Sequence, residues 1–379
     1  MKKKLFLLVF FFFLLIAIPF VSYLFTTPQA VSTDGDAVAK ISKTDVSEKA
    51  SGSVSAFEES TAKKASSTKG NLTAQNAAAS PDDTASLPTV KDEDMLPSDF
   101  RLLDDSTGKI RTVSNREFLI GTLACEMSPD SELEALKAQA VASYTYYSKL
   151  RQSRREAREQ TDCSVNTKAW LYYTTKDQMR SLWGDAFSKN YSRLAKAVDS
   201  VQDQTLRYDG QLINASYHAI SSGQTERSQD VWGSSYPYLT AVASPWDKYA
   251  DDYKSTRTVT SADLKQQVQE SFPDCDLSGS PDTWFRNLTR TDSGAIKTLT
   301  LGGKELDGTE ARNLLRLRSS NFSISLSGDT FTFTVLGYGH GVGMSQYGAN
   351  AMAKDGARYD EILSWYYPGT ELVKGKSTS

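Results

Sequence analysis

Residues 123–147 read LACEMSPDSELEALKAQAVASYTYY, and their pattern predicts the central helix of the fold. Apolar side chains recur there at intervals of three and four, the spacing of one face of an amphipathic helix. These side chains are Leu133, Leu136, Ala140, Val141, Tyr144 and Tyr147. Ser131 and Glu134 have the spacing of a capping box. An apolar run at residues 115–127 comes before the helix, and Ser-Pro-Asp at residues 128–130 breaks the chain between them.

The rest of the chain combines further helices with hairpins. Helical patterns cover residues 176–201, 261–272, 345–354 and 360–367. Asp209-Gly210 is a favoured two-residue turn, so a hairpin is predicted with strands at residues 205–208 and 212–217. Short β-rich runs occupy residues 297–301, 322–326 and 331–335. Long helices in one half and hairpins in the other predict an α+β fold, with one large mixed helix and antiparallel-sheet domain at residues 97–379.

The N-terminus predicts a membrane anchor. Three lysines at positions 2–4 precede an uncharged run, residues 5–25, long enough to cross a hydrocarbon core. The lysines favour the cytoplasmic side, which makes this a single-pass cell-membrane protein with an extracytoplasmic C-terminal domain. A cleaved signal peptide is the alternative, although its apolar region is usually shorter. We therefore assign residues 1–25 as the lysine cluster and transmembrane helix, and the Ser/Thr/Ala-rich residues 26–96 as a disordered linker.

Composition narrows the function classes. Lys and Arg total 43 against 46 acidic residues, so the net charge is −3 and no nucleic-acid partner is expected. The chain contains 3 cysteines, too few for a disulfide scaffold. One disulfide with one free thiol and three free thiols both remain open for Cys125, Cys163 and Cys275.

Glu126 is the first candidate for chemistry. It is a single carboxylate among apolar neighbours, just before a helix start. Burial would raise its pKa and keep it protonated near neutral pH. A protonated carboxylic acid is the group that a glycosidic oxygen needs when it leaves. An exposed glutamate at a helix end is the alternative interpretation of the same residues.

The second candidate is the hydroxyl-rich segment at residues 217–226. The predicted loop contains, in order, Ser221, Ser222, Gly223, Gln224 and Thr225. A serine nucleophile is disfavoured, because the segment lacks the G-x-S-x-G pattern. We predict a polar loop that binds sugar hydroxyls, and a turn with internally satisfied side chains is the alternative.

The third candidate is the glycine-rich segment GYGHGVGMSQYGA at residues 337–349. Alternating glycines allow close approach of a ligand or of another chain segment. The spacing does not match a dinucleotide-binding fingerprint, and no Gly-Lys-Ser/Thr follows for a phosphate loop. His340 lies between glycines, which is unlike a crowded core position, and a site role stands beside a structural one.

At these segments the chain resembles the SpoIID/LytB family. The similar blocks are residues 117–146, residues 215–245 with SSGQTERSQDVWG, and residues 337–372 with GYGHGVGMSQYGANAMAKDGARYDEILSWYYPGTEL. Their order and spacing also match, so the resemblance covers nearly all of residues 97–373. The last block is long and unusual in composition, which makes it highly specific.

The resemblance implies a peptidoglycan lytic transglycosylase. Such an enzyme cleaves the bond between N-acetylmuramic acid and N-acetylglucosamine in glycan strands stripped of their peptides, leaves a 1,6-anhydro product, and acts in septum thinning and engulfment during sporulation. Glu126 would be the sole acid/base. The implied partners are peptidoglycan glycan strands, a cell-wall amidase and a membrane engulfment protein. The predicted substrate-binding residues are Ser221, Ser222, Gly223, Gln224, Thr225, His340, Gly341, Ser345, Gln346 and Tyr347.

One departure from the family concerns metal. Some members carry a zinc site of clustered His and Cys, and the corresponding residues 162–170 here contain one cysteine and no histidine. Four nitrogen or sulfur ligands cannot be assembled there, so no zinc and no cofactor are predicted. Two non-enzymatic functions stay open beside the enzyme: an amidase activator or glycan-binding module, and an anchored scaffold of the engulfment complex.

Overall fold

The structure, a computed structural model, describes residues 96–375. The predicted anchor at residues 1–25, and all of the predicted linker except residue 96, lie outside the described residues. Within residues 96–375, none of the helices combines the length and the apolar character needed to span a bilayer.

Helices and strands alternate along the described chain. In the first half the elements are β1 (Asp99–Asp104), β2 (Lys109–Ser114), α1 (Asn115–Glu126), α2 (Leu133–Glu156), β3 (Cys163–Val165), α3 (Lys176–Trp183), α4 (Phe187–Ser200), β4 (Gln204–Tyr208), β5 (Gln211–Leu212), β6 (Tyr217–His218) and α5 (Ser228–Trp232). In the second half they are β7 (Lys254–Thr260), α6 (Ser261–Ser271), β8 (Phe285–Arg290), β9 (Ile296–Leu301), β10 (Lys304–Asp307), α7 (Gly308–Leu314), β11 (Phe322–Ser327), β12 (Thr330–Leu336), β13 (Met344–Ser345), α8 (Gln346–Lys354), α9 (Tyr359–Tyr366) and β14 (Glu371–Lys374). Short 3₁₀ turns occur at Gly184–Ala186, Pro245–Tyr249 and Pro281–Thr283.

Helix α2 is the centre of the first lobe, which we define as residues 96–253 and 337–375. It packs against α1, α4, α8 and α9. The predicted apolar stripe is buried except for Leu133, which is half-buried. Burial extends round the helix to polar residues such as Gln139 and Ser143, so α2 lies inside the lobe rather than on its surface.

The second lobe, residues 254–336, has its own core. Sheets β11-β12-β7 and β10-β9-β8 enclose it with aromatic side chains, among them Phe331 and Phe333, whose rings stack 6.3 Å apart. The chain leaves the first lobe at Tyr253 and returns at Gly337, where the Gly337 amide donates to the Tyr253 carbonyl at 2.7 Å. The second lobe is therefore an insertion with adjoining ends.

The α+β prediction is confirmed, and several local predictions are corrected. Helix α2 begins at Leu133 after Glu132, without a side-chain cap, so the Ser131–Glu134 capping box is wrong. Glu134 instead pairs with Lys137 at 2.6 Å. The Asp209-Gly210 hairpin is confirmed, but its second strand ends at Leu212, because the chain then turns to pair with β13.

Candidate active site

Glu126 is the last residue of α1, and the helix delivers it to the site. Ser114 caps the start of α1 by accepting from the Glu117 amide at 3.1 Å. At the other end the Met127 amide still donates to the Leu123 carbonyl, and the chain then turns outward. Glu126 is half-buried, so protein surrounds its carboxyl group while part of the residue stays accessible.

Burial raises the pKa of Glu126 from an ordinary 4.5 to about 7. The cause is desolvation, because water no longer solvates the ionised form fully. Hydrogen bonds from the Gln346 and Tyr217 side chains act in the opposite direction, because they favour the ionised form. Near neutral pH, both protonation states of Glu126 are therefore accessible.

A ring of hydrogen bonds closes around this carboxyl group. The Gln346 amide Nε2 donates to Glu126 Oε2 at 3.2 Å and to Gln139 Oε1 at 3.4 Å. Gln139 Nε2 donates to Ser143 Oγ at 3.0 Å, and Ser143 Oγ donates to the Tyr217 hydroxyl at 3.4 Å. The Tyr217 hydroxyl completes the ring, because it lies beside the Glu126 carboxyl group and acts to lower its pKa. Side chains of α1, α2, α8 and β6 thus meet at one acid.

Tyrosines line the same site. Tyr146, Tyr147, Tyr172 and Tyr217 all interact electrostatically with Glu126. Burial raises the pKa of each of these phenols, that of Tyr172 to about 12, so all four stay neutral across the physiological range. Thr122 holds the Tyr172 backbone by donating to its carbonyl at 2.9 Å. Tyrosines therefore surround Glu126, the group at this site whose pKa lies near neutrality.

The β6–β13 ladder joins the two predicted loop segments. Tyr217 pairs with Met344 and His218 with Ser345 in a parallel register. Successive side chains of a strand point to opposite faces. Tyr217 accordingly faces Glu126, whereas the His218 ring lies against His340, with ring centroids 5.7 Å apart. Gly343 permits the ladder, because a Cβ there would lie 1.9 Å from the Ser216 carbonyl oxygen.

The buried carboxylate of Asp247 accepts hydrogen bonds from both predicted loop segments. Asp247 is fully buried, accepts from the Ser221 amide at 2.8 Å and accepts from Ser345 Oγ at 2.9 Å. Burial raises the pKa of Asp247, and its serine partners oppose that rise. Ser345 also caps α8 by accepting from the Gly348 amide at 3.1 Å. The Ser221 and Ser345 side chains are therefore internal anchors that hold Gln346 at the start of α8.

A separate, narrow cleft with a cavity volume of about 30 Å³ lies between the two lobes. Ser222, Gln224, His340 and Gly341 line it together with Glu226. Burial lowers the pKa of His340 well below 6.5 and that of His218 to about 4, so both rings are neutral. Burial also raises the pKa of Glu226, but only 4% of that residue is exposed, which leaves it far less available to a polymer than Glu126.

The predicted binding residues therefore divide into three groups. Gln346 contacts the acid directly, and Ser221, Ser222, Gln224, His340 and Gly341 line the interlobe cleft. The remaining predicted residues stabilise the backbone of the two segments. Thr225 Oγ1 accepts from the Val242 amide at 2.9 Å, Gly223 has a positive φ of 106°, and the Tyr347 amide donates to the Ala219 carbonyl at 3.0 Å.

Sequence reasoning missed the inner residues of the site. Gln139, Ser143 and Asp247 were not predicted, and Tyr217 was predicted only as part of a loop, although Gln139 and Ser143 interrupt an otherwise apolar run at residues 138–144. A polar residue among apolar neighbours needs a buried partner, and that was the available signal.

The Asp162-Cys163 region serves the fold. Asp162 is fully buried and binds Arg155 through two bonds of 2.7 and 2.8 Å, and burial raises the pKa of Cys163 to about 12. All three cysteines are free thiols. Among residues 96–375, no cluster of three or more His, Cys, Asp or Glu side chains is arranged to hold a metal ion.

Comparison with known proteins places the chain among sporulation proteins. The SpoIID model, described as stage II sporulation protein, matches residues 104–208. Stage II sporulation protein D of Bacillus subtilis (strain 168) is 34% identical over 264 residues, covering 69% of this chain and 75% of the relative. Its counterpart from Bacillus amyloliquefaciens is 34% identical over 291 residues, covering 76% and 82%. The amidase enhancer of Bacillus subtilis (strain 168) is 30% identical over 314 residues, covering 67% of this chain and 40% of the relative.

Proposed function

We propose that this protein remodels the bacterial cell wall as a lytic transglycosylase. The proposal starts from the fact that the chain belongs to the SpoIID family of stage II sporulation proteins. The observation that carries the proposal is Glu126, a half-buried carboxylic acid with a pKa of about 7 and hydrogen bonds from Gln346 and Tyr217. The groups that shift its pKa include no other carboxylate. A lone acid suits a cleavage in which one group serves first as acid and then as base, whereas ordinary glycoside hydrolysis uses a pair.

The single Glu126 carboxyl group carries out both proton transfers of the proposed reaction. Protonated Glu126 gives its proton to the glycosidic oxygen as the bond from C1 of N-acetylmuramic acid to that oxygen breaks. The 6-hydroxyl of the same muramic residue then attacks C1, and the Glu126 carboxylate takes the hydroxyl proton. The products are a 1,6-anhydro end and a free sugar hydroxyl, and water takes no part. Gln346 and Tyr217 support the transient carboxylate, because charge-assisted hydrogen bonds favour the ionised form.

The predicted anchor adds a location to this proposal. Residues 1–25 would hold the domain on the outer face of the cell membrane, with residues 26–96 as a tether that lets it reach glycan strands. Substrate contacts are assigned to the interlobe cleft through Ser222, Gln224 and His340, and to Gln346 beside the acid.

The decisive experiment uses the full-length protein with peptide-free glycan strands. We expect 1,6-anhydro ends by mass spectrometry, and Glu126→Gln to lower their rate of formation by about 10²–10⁴-fold, because the amide cannot donate the required proton. Glu117→Gln is the matched control, since Glu117 lies on the same helix but is exposed. Unchanged product formation by Glu126→Gln would refute the assignment.

The amidase enhancer supports a second function, because its name is that of an activator and it is 30% identical to this chain. In that case the domain would bind a cell-wall amidase and raise its activity. An amidase assay with the full chain separates the two. Two results together would favour the activator. The wild type would form no anhydro products, and Glu126→Gln would stimulate the amidase as much as the wild type does.

A further inference from the structure

Gln139 lies one residue away from the acid in the hydrogen-bond ring. It projects from the second turn of α2, is fully buried, and contacts Gln346, the residue that bonds Glu126. Its amide group uses both ends, since Oε1 accepts from Gln346 and Nε2 donates to Ser143. A buried amide that is satisfied at both ends has one favourable orientation, because reversal would set like atoms against each other.

That orientation determines the direction of the surrounding hydrogen bonds. With Gln139 Oε1 accepting, the Gln346 amide presents its nitrogen to Glu126 and cannot turn its carbonyl oxygen towards the carboxylate. With Gln139 Nε2 donating, Ser143 Oγ receives that proton and passes its own to Tyr217, which leaves the Tyr217 proton for Glu126. Gln139 therefore orients both groups that donate to Glu126, the Gln346 amide and the Tyr217 hydroxyl.

We propose that Gln139 is a positioning residue that holds the Gln346 amide and the Tyr217 hydroxyl in the orientations in which they donate to Glu126. The inference rests on the proposed role of Glu126 as acid/base, and it adds a residue that never touches the substrate. As a consequence, the ionisation of Glu126, which lies on α1, depends on a residue of α2.

Glu126 is the only group at this site expected to ionise near neutral pH. The titratable groups facing it are Cys125 from α1, Tyr146 and Tyr147 from α2, Tyr172 from the following loop and Tyr217 from β6. Burial raises the pKa of every one of them, so none ionises near neutral pH. The fall in cleavage rate on the alkaline side therefore reports the ionisation of Glu126.

The test is Gln139→Met in the full-length protein, which keeps the length of the side chain and removes both hydrogen bonds. Losing aligned donors disfavours the carboxylate, so the alkaline limb of the rate profile on peptide-free glycan should move upward by about half to one pH unit. The carboxyl ¹³C NMR titration of Glu126, identified by its loss in Glu126→Gln, should move by the same amount. Combining Gln139→Met with Gln346→Met should give less than the sum of the two single shifts, because the residues act on one bond.

Thr145→Val is the matched control, since Thr145 is equally buried on α2 but bonds the Val141 carbonyl and the Leu206 amide. It should leave both titrations in place. A Gln139→Met protein that loses rate equally at every pH, with the Glu126 titration unmoved, would overturn the proposal in favour of a packing role. If Gln139→Met does not fold, Ser143→Ala interrupts the same path and must shift the titration upward. The NMR titration also decides the proposal if the wild type cleaves no glycan, a result that would refute only the proposed function.

Discussion

At the scale of single residues, the proposed chemistry depends on how Glu126 is surrounded. Desolvation disfavours its charge, while donors from Gln346 and Tyr217 stabilise it, and the balance leaves a pKa of about 7. Full burial would have removed the acid from the substrate, as it does for Glu226. Full exposure would have left an ordinary carboxylate, ionised and useless as an acid at neutral pH. Half-burial at a helix end avoids both outcomes.

The raised pKa has a thermodynamic consequence that does not depend on any substrate. The folded protein holds the Glu126 proton more tightly than the unfolded chain, so the stabilisation is fully present below about pH 4.5 and is lost as the pH rises to about 7. Glu126→Gln cannot ionise, so at about pH 8 its free energy of unfolding should exceed that of the wild type by roughly 2 to 3 kcal/mol more than it does at about pH 4. Urea unfolding at the two pH values measures this, with Glu117→Gln on the same helix as the control. Equal effects of Glu126→Gln at both values would contradict the raised pKa.

At the scale of elements, the site depends on the short β6–β13 ladder. The ladder has only two residue pairs, yet it aligns Tyr217 with the start of α8 and so brings the Gln346 donor to the acid. Its backbone passes close to Ser216 at Gly343, which has a positive φ of 75°. The ladder can therefore form only if position 343 lacks a side chain.

Gly343→Ala should separate these strands. A methyl group would collide with the Ser216 carbonyl oxygen in addition to the strain of positive φ, so we expect the free energy of unfolding to fall by about 3 kcal/mol or more. Gly210→Ala is the matched control. It has nearly the same φ, 73°, but nothing lies within 4 Å of an added Cβ. It should cost only about 1 kcal/mol. Chemical denaturation compares the two, and equal losses would show that the contact with Ser216 is unimportant.

Elements with strong local patterns were predictable, whereas pairings between distant segments were not. The Asp-Gly hairpin and helices α2, α6 and α8 follow from turn chemistry or apolar spacing. Strands β1, β2 and β14 were missed, because their patterns are short and their partners are distant. Helix α7 was also missed, although Asp307 and Glu310 form a capping box at its start. In the site, the apolar setting of Glu126 left an exposed glutamate as an alternative, and the family resemblance made it the predicted acid. Its bond to Gln346 joins positions 220 residues apart, which no local pattern encodes.

At the scale of the whole molecule, the proposed function requires a membrane-anchored protein to reach an insoluble polymer. The net charge of −3 gives no electrostatic attraction to a polyanion, so location must come from attachment. A proposed anchor and tether of 96 residues at the N-terminus meet that need.

Removing residues 1–25 should release the protein from membranes. We expect the full chain to sediment with membranes and to resist extraction by alkaline carbonate, because a helix of about 20 apolar residues inserts stably. The shortened chain should stay in the supernatant. A chain lacking only residues 26–96 is the control and should remain membrane-bound. Extraction of the full chain by carbonate would contradict the anchor.

The bond between Gly337 and Tyr253 has a consequence for how such proteins diversify. Because the two ends of residues 254–336 already meet, the entropy of closing this excursion depends only weakly on how long it is. The segment can lengthen, shrink or be exchanged for an unrelated module without opening the helical lobe that carries Glu126. It is therefore a natural grafting point, at which a cell-wall protein can acquire a new targeting specificity while its acid stays in place.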